Sequence, residues 1–157
     1  MTPSSQAIET PRVYNTGEVL YDLPSPYLAD KVFGLLHLPR FLAKIRKHLA
    51  GTLPKSYQRN FTKGFDGFLC LHLGIEPQAV IELVRQEGSD AEVLEKLKSL
   101  LLSDVQAAVW NRKLVQIGMS PMGQAKLHEI KTQMGLADRQ DLLSFADIIE
   151  VDENRLF

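Results

Sequence analysis

Residues 38–51 read LPRFLAKIRKHLAG, and the period within them decides the fold. Leu38, Leu42, Ile45 and Leu49 recur at helical spacing and form one apolar stripe, while Arg40, Lys44 and Lys47 fall on the opposite face. The spacing predicts a helix over 39–50 with a solvent-side basic stripe. Gly51 ends it, because glycine takes the left-handed cap conformation without a steric cost.

The same pattern continues toward the C-terminus. Apolar-periodic segments stop at Gly88, Gly118 and Gly135. Ser89 with Glu92 and Ser103 with Gln106 have capping-box spacing, and Pro77 and Pro121 suit first helical positions. Helices are predicted over 27–36, 39–50, 65–73, 77–87, 90–101, 104–117, 121–134 and 139–149. The segment 104–117 is apolar on two sides and is expected to lie centrally, as the core helix. No segment sustains period-two alternation, so no sheet is predicted.

Toward the N-terminus the helical period is lost. Residues 1–26 carry Pro3, Pro11, Pro24 and Pro26 and read as an extended arm, with Val13, Tyr14, Val19, Leu20 and Tyr21 as its anchors. The expected architecture is all-α: an arm over 1–26, then a single compact bundle of about seven or eight short helices over 27–157.

Composition narrows the class. The 157 residues fit one domain able to bury a core without disulfides or a structural metal. The apolar runs are too short for a membrane span, and residues 1–10 lack the features of a secretory signal. A lone cysteine, Cys70, agrees with a reducing compartment, so a cytoplasmic location is expected. The net charge of −1 conceals a dipolar chain. No acidic residue occurs between Asp30 and Asp66, where Lys31, Arg40, Lys44, Arg46, Lys47, Lys55, Arg59 and Lys63 fall, whereas the chain ends in Glu150, Asp152 and Glu153.

Specific catalytic signatures are missing. His37, His48, His72 and His128 show no metal-ligand spacing, and there is no cysteine cluster, so no metal is expected. Phosphate loops of the nucleotide-binding kinds are absent, and no cofactor is expected. Cys70 reads as a core filler and His72 as a partly buried, hydrogen-bonded histidine.

What remains is the loop from Gly51 to Gly67, GTLPKSYQRNFTKGFDG, directly after the basic helix. Its Tyr57, Asn60 and Asp66 are the polar or acid–base candidates, and Arg40, Lys44 and Arg46 are candidates for holding a carboxylate or phosphate. Trp110 completes the candidate binding set. The competing reading is a solvated basic face, or one paired within the fold with Asp147, Glu150, Asp152 and Glu153. Phe41, Tyr57, Phe61 and Phe65 interleave with the basic residues in the manner of a single-strand binder. The pI of about 6.4 and the lack of a nucleic-acid motif place that reading lower.

The stretches LPSPYLADKVFGLLHLPRFLAKIRKHLAGTLPKSY, GFDGFLCLHLGI, SDAEVLEKL and AVWNRKL, and the ending DLLSFADIIEVDENR, resemble a bacterial family catalogued as domain of unknown function 5069. Arg40, Lys44 and Arg46, then Gly51 and Tyr57, then Trp110 with Asn111, and finally Asp152 with Glu153 carry the resemblance, which spans about Leu23 to Arg155. It implies a small helical bacterial protein and supplies no function. The arm before Leu23 and the loop between Tyr57 and Asp66 depart from the family pattern.

Two functions follow as expectations. In the first, the basic segment binds a small carboxylated or phosphorylated molecule, as a binding protein or a cofactor-independent enzyme. In the second, the same face docks an acidic partner or another copy of the chain, as an interaction or regulatory module. A concave pocket over Arg40 favours the first, and a flat basic face favours the second. Because Arg40 and Lys44 lie opposite the apolar stripe, such a pocket needs another segment over them, for which the N-terminal arm is the candidate.

Overall fold

The computed structural model describes residues 17–156. Among these, eight helices and no strand are present: α1 Leu38–Leu49, α2 Lys55–Gln58, α3 Gly64–Leu73, α4 Pro77–Gln86, α5 Asp90–Leu100, α6 Ala107–Gln116, α7 Pro121–Gln133 and α8 Phe145–Asp152. The fold is all-α. Val13 and Tyr14, two of the expected arm anchors, lie outside the described residues. No single described helix is long and apolar enough to cross a membrane.

The main core joins α1, α3, α4, α5 and α6 around Phe41, Leu42, Ile45, Leu69, Val93, Leu97, Trp110 and Leu114. A smaller cluster of Leu127, Ile130, Met134, Leu136, Leu142, Ile148 and Val151 joins α7 to α8. The two meet where the C-terminus of α6 touches the N-terminus of α8. There Phe145 N–H donates to the Ile117 carbonyl at 3.0 Å. Gly118, at φ 105°, permits this approach, since a Cβ there would stand 3.1 Å from the Phe145 nitrogen.

Local chemistry accounts for most helix boundaries. Pro77 and Pro121 occupy first turns, and Ser89 accepts from Glu92 N–H as its spacing predicts. Gly51, Gly118 and Gly135 take positive φ, as does Gly74 after α3, whereas Gly88 does not. Ser103 caps nothing: Gln106 stands as the left-handed N-cap, and the helix expected from 104 begins at Ala107. Nor is α6 the central helix, since of its side chains only Trp110 and Leu114 are buried and Val109 is exposed. The central role falls to α1, with Leu38, Arg40, Phe41, Leu42, Lys44 and Ile45 all buried. The helix expected from 139 starts at Phe145, where Ser144 and Asp147 form a reciprocal capping box.

The helix expected over 27–36 does not form. Asp30 captures the backbone instead: its Oδ2 accepts from Val32 and Phe33 N–H at 2.9 and 2.6 Å, and its Oδ1 accepts from Leu35 N–H at 2.8 Å. A short aspartate offers the chain these local bonds in competition with the helix ladder. Gly34, at φ 75°, lets the chain reverse, and Ala29 and Leu36 form an isolated antiparallel bridge. From α6, Trp110 Nε1 donates to the Leu36 carbonyl, Asn111 Nδ2 donates to the Gly34 carbonyl, and Asn111 Oδ1 accepts from Leu36 N–H. The reversal delivers His37 to the start of α1.

The Ser144 cap is fully buried and its Oγ also meets the Tyr27 hydroxyl at 3.1 Å. Ser144→Ala is therefore expected to lower stability by about 1–2 kcal/mol. An unmoved urea midpoint in the variant would show that the box contributes nothing.

A candidate site floored by buried charges

The acid-free window places Arg40 and Lys44 one turn apart on α1, but they do not form a solvent-side stripe. Each is about 95% withdrawn from solvent, at 4% and 5% exposure. The expectation of an exposed basic face fails because α1 is covered on both sides, and each buried cation has acquired its own carboxylate. Lys47, at the helix end, stays near the surface and pairs with Asp22.

Arg40 meets Glu153, just beyond α8. Its two terminal nitrogens donate to the two carboxylate oxygens at 2.8 and 2.7 Å, the planar fork that guanidinium geometry favours. The Tyr57 hydroxyl donates to Glu153 Oε2 at 2.9 Å and accepts from Leu20 N–H at 2.9 Å. Arg155 adds a bond to Glu153 Oε1 at 2.6 Å and one to the Leu23 carbonyl at 2.8 Å. Burial alone would raise the Glu153 carboxyl, but Arg40 and then Arg155 hold it below the usual range.

Lys44 meets Asp66, in the first turn of α3, where the helix dipole also favours an anion. Lys44 Nζ donates to Asp66 Oδ2 at 2.8 Å, Thr62 N–H donates to the same oxygen at 3.1 Å, and His37 Nε2 lies 2.7 Å from Oδ1. Burial opposes ionisation of Asp66, yet Lys44 and His37 outweigh it and the carboxyl lies below its usual value. Burial likewise pulls Lys44 down, with Asp66 opposing and Arg40 reinforcing the shift. His37 is pushed down to about 4 by burial, against the pull of Asp66 and with Lys44 and Arg40 adding to the effect. It is neutral at neutral pH.

These groups floor a cavity of about 250 Å³. Its polar lining comprises His37, Arg40, Lys44, Tyr57, Asn60, Asp152 and Glu153, and its apolar walls are Phe65, Phe68, Ile117, Phe145, Ile148 and Ile149. The exposed lining residues Asn60, Gly64 and Phe68 mark its mouth. The segment that covers Arg40 and Lys44 is thus α8 with the residues after it. Of the arm, the described residues reach the site through Leu20, whose N–H donates to the Tyr57 hydroxyl, and Pro24, whose carbonyl accepts from Arg40 at 3.2 Å.

Of the residues singled out from the sequence, Arg40, Lys44, Tyr57 and Asn60 line this cavity, and Asp66 lies beneath it as the partner of Lys44 and His37. Arg46 is elsewhere, on the surface beside Asp90 at 2.8 Å. Trp110 is buried away from the cavity, holding the 34–36 turn and bordering a separate depression with Phe68, Leu71, His72, Lys113 and Ile117. His37 was not among the sequence candidates, and its only sequence signal is its place directly before the Leu38–Pro39 helix start. Glu153 figured as an internal ion-pair partner and in the family resemblance, not as a site residue. His72 is half-buried and its Nε2 donates to the Val105 carbonyl. Burial pushes the Cys70 thiol up to about 12, an inert core thiol. Among the described residues no three His, Cys, Asp or Glu side chains group as metal ligands.

A family model described as Domain of unknown function (DUF5069) matches residues 23–155. No curated protein matches the chain.

Two outcomes follow from the electrostatics. Below about pH 6.5 the unfolded chain protonates His37, whereas the folded chain resists until about pH 4. Stability should therefore fall between those values as pH drops, by up to roughly 3 kcal/mol, before the depressed carboxyls of Asp66 and Glu153 add their own loss at lower pH. Urea midpoints of the native chain and His37→Asn across this range check it, and equal slopes would refute the assignment. Arg40→Met, which removes two of the four donors to the buried Glu153 carboxylate and leaves Arg155 as its cation, should cost up to about 3–5 kcal/mol in the same measurement at neutral pH.

Proposed function

This chain belongs to the DUF5069 family, whose description assigns no activity, and from its own geometry we propose that the cavity binds a small carboxylated molecule with an apolar body. The observation that carries the reading is the cavity itself: a polar floor of buried, oriented groups under aromatic and aliphatic walls, the composition typical of small-molecule sites. Its volume suits a compact metabolite.

Lys44 is the group that meets the ligand's anion. An ammonium has three donors, and the hydrogen bond seen from Lys44 goes to Asp66 alone. The Arg40 fork is occupied by Glu153, so Arg40 supports the site from behind instead of clamping the ligand. With Arg40 and Lys44 balanced by Glu153 and Asp66, and Asp152 alongside, the floor carries no surplus positive charge. A singly charged carboxylate fits this balance better than a phosphate dianion. The same burial argues against the docking alternative, since Arg40 and Lys44 are withheld from any macromolecular partner. Whether the bound molecule is also transformed depends on the polar floor, where Tyr57, Asn60 and Asp66 were the acid–base candidates. Tyr57 and Asp66 are committed to internal bonds, and Asn60 stands at the mouth.

A thermal-shift panel of small carboxylates and phosphates tests the proposal, with Ile149→Trp alongside to fill the cavity. A ligand at about one hundred times its Kd should stabilise the native chain by about 2.7 kcal/mol and leave the filled variant unmoved. Equal shifts in both proteins would move binding outside the cavity, and no shift across the panel would sink the reading.

A further inference from the structure

Phe68 and Ile117 each border two concavities. The cavity lies on one side of them, and on the other lies the depression of about 480 Å³ that Leu71, His72, Trp110 and Lys113 complete. Helix geometry joins the two into one trough. On α3, Gly64, Phe68 and Leu71 follow one another at helical spacing as a single stripe, whose first two members border the cavity and whose last two border the depression. The packed helix α6 runs the opposite way beside it: Ile117 follows its end at the cavity, while Trp110, one turn into the helix, stacks at 5.7 Å on His72. From Gly64 to Leu71 the stripe is about 10 Å long at the 1.5 Å rise of a helix.

The depression continues the apolar character of the cavity walls. Trp110 Nε1 and His72 Nε2 are both committed to backbone carbonyls, those of Leu36 and Val105. Lys113, the one permanent charge in the lining, is exposed, so its ammonium stays in water. Leu71 and Phe68 are 80% and 50% exposed, two large apolar side chains left to solvent beside the cavity mouth. Covering such surface is favourable in proportion to its area.

We infer that the ligand is a straight-chain carboxylic acid long enough to leave the cavity, with its carboxylate held inside and its hydrocarbon chain passing Phe68 and Ile117 to cover Leu71 and the Trp110 edge of the depression. This rests on the cavity reading above and adds the chain that the ligand carries beyond the mouth. Continuity selects the occupant: from Phe65 and Phe145 through Phe68 to Leu71 the surface is apolar, and a flexible chain follows it without bringing polar groups that would need partners there.

The test is calorimetric titration of the full chain with butanoate, hexanoate, octanoate and decanoate, followed in parallel by the emission of Trp110, the only tryptophan. Affinity should rise about twofold or more with each added methylene, half the effect of full burial because the trough is open on one side. Trp110 emission should shift with the longer acids and not with butanoate. Leu71→Asp, at an exposed helical position, should leave butanoate binding unchanged and remove most of the gain of octanoate and decanoate. Octan-1-ol, which has the chain without the anion, should bind at least tenfold more weakly than octanoate. Affinity that levels off at the short acids, or long acids that bind Leu71→Asp as tightly as the native chain, would overturn the inference and leave the cavity reading standing. Equal binding of octan-1-ol and octanoate overturns it too, since the chain would then bind without its anchor. If no acid of any length binds, both readings fail.

Discussion

The Glu153 carboxylate is the point on which the site depends. It accepts four hydrogen bonds, two from Arg40 and one each from Tyr57 and Arg155, and so ties α1, α2 and the C-terminal segment into one unit. Through the same cations it reaches the stretch before Asp30, whose Leu23 and Pro24 carbonyls accept from Arg155 and Arg40. A buried charge is tolerable only when its lone pairs are satisfied, and here each oxygen has two donors. Without this anchor the C-terminal segment loses its paired bonds to α1.

A second carboxylate repeats the arrangement one turn further along α1. Asp66 satisfies Lys44 and fixes the orientation of His37, and it is held in turn by the backbone N–H of Thr62, a β-branched residue at φ 65°. Two of the non-glycine residues at positive φ, His37 and Thr62, therefore contact the same carboxylate. Strain of this kind persists where surrounding bonds over-determine the backbone. For His37 those bonds trace back to Trp110 and Asn111, which pin the 34–36 turn from α6. Trp110 thereby supports the site without touching the cavity.

The division between legible and illegible parts runs through particular residues. Pro77, Pro121, Ser89 and Gly51 act within one turn of their own position, and their roles were readable because the interacting groups are sequence neighbours. Asp30 was a harder case. Its bonds are equally local, but the apolar period of 27–36 also fits a helix, and the competition was decided when Asn111 and Trp110 took up the backbone groups of the turn. Arg40 and Lys44 were legible as one face of α1 and illegible as a buried face.

The amino-acid order by itself determined that this protein is helical, where most helices start and stop, and that its cations gather in one window while its last acids gather in another. These are consequences of periodicity, capping and composition, which act over a few residues. Only the tertiary structure decided that Arg40 would be neutralised by a carboxylate 113 residues away, that His37 would face Asp66, and that α8 would close a cavity over them. The physical reason is that the energy of an ion pair or a buried imidazole depends on desolvation and on partners brought from distant positions. Neither exists until the apolar faces have packed.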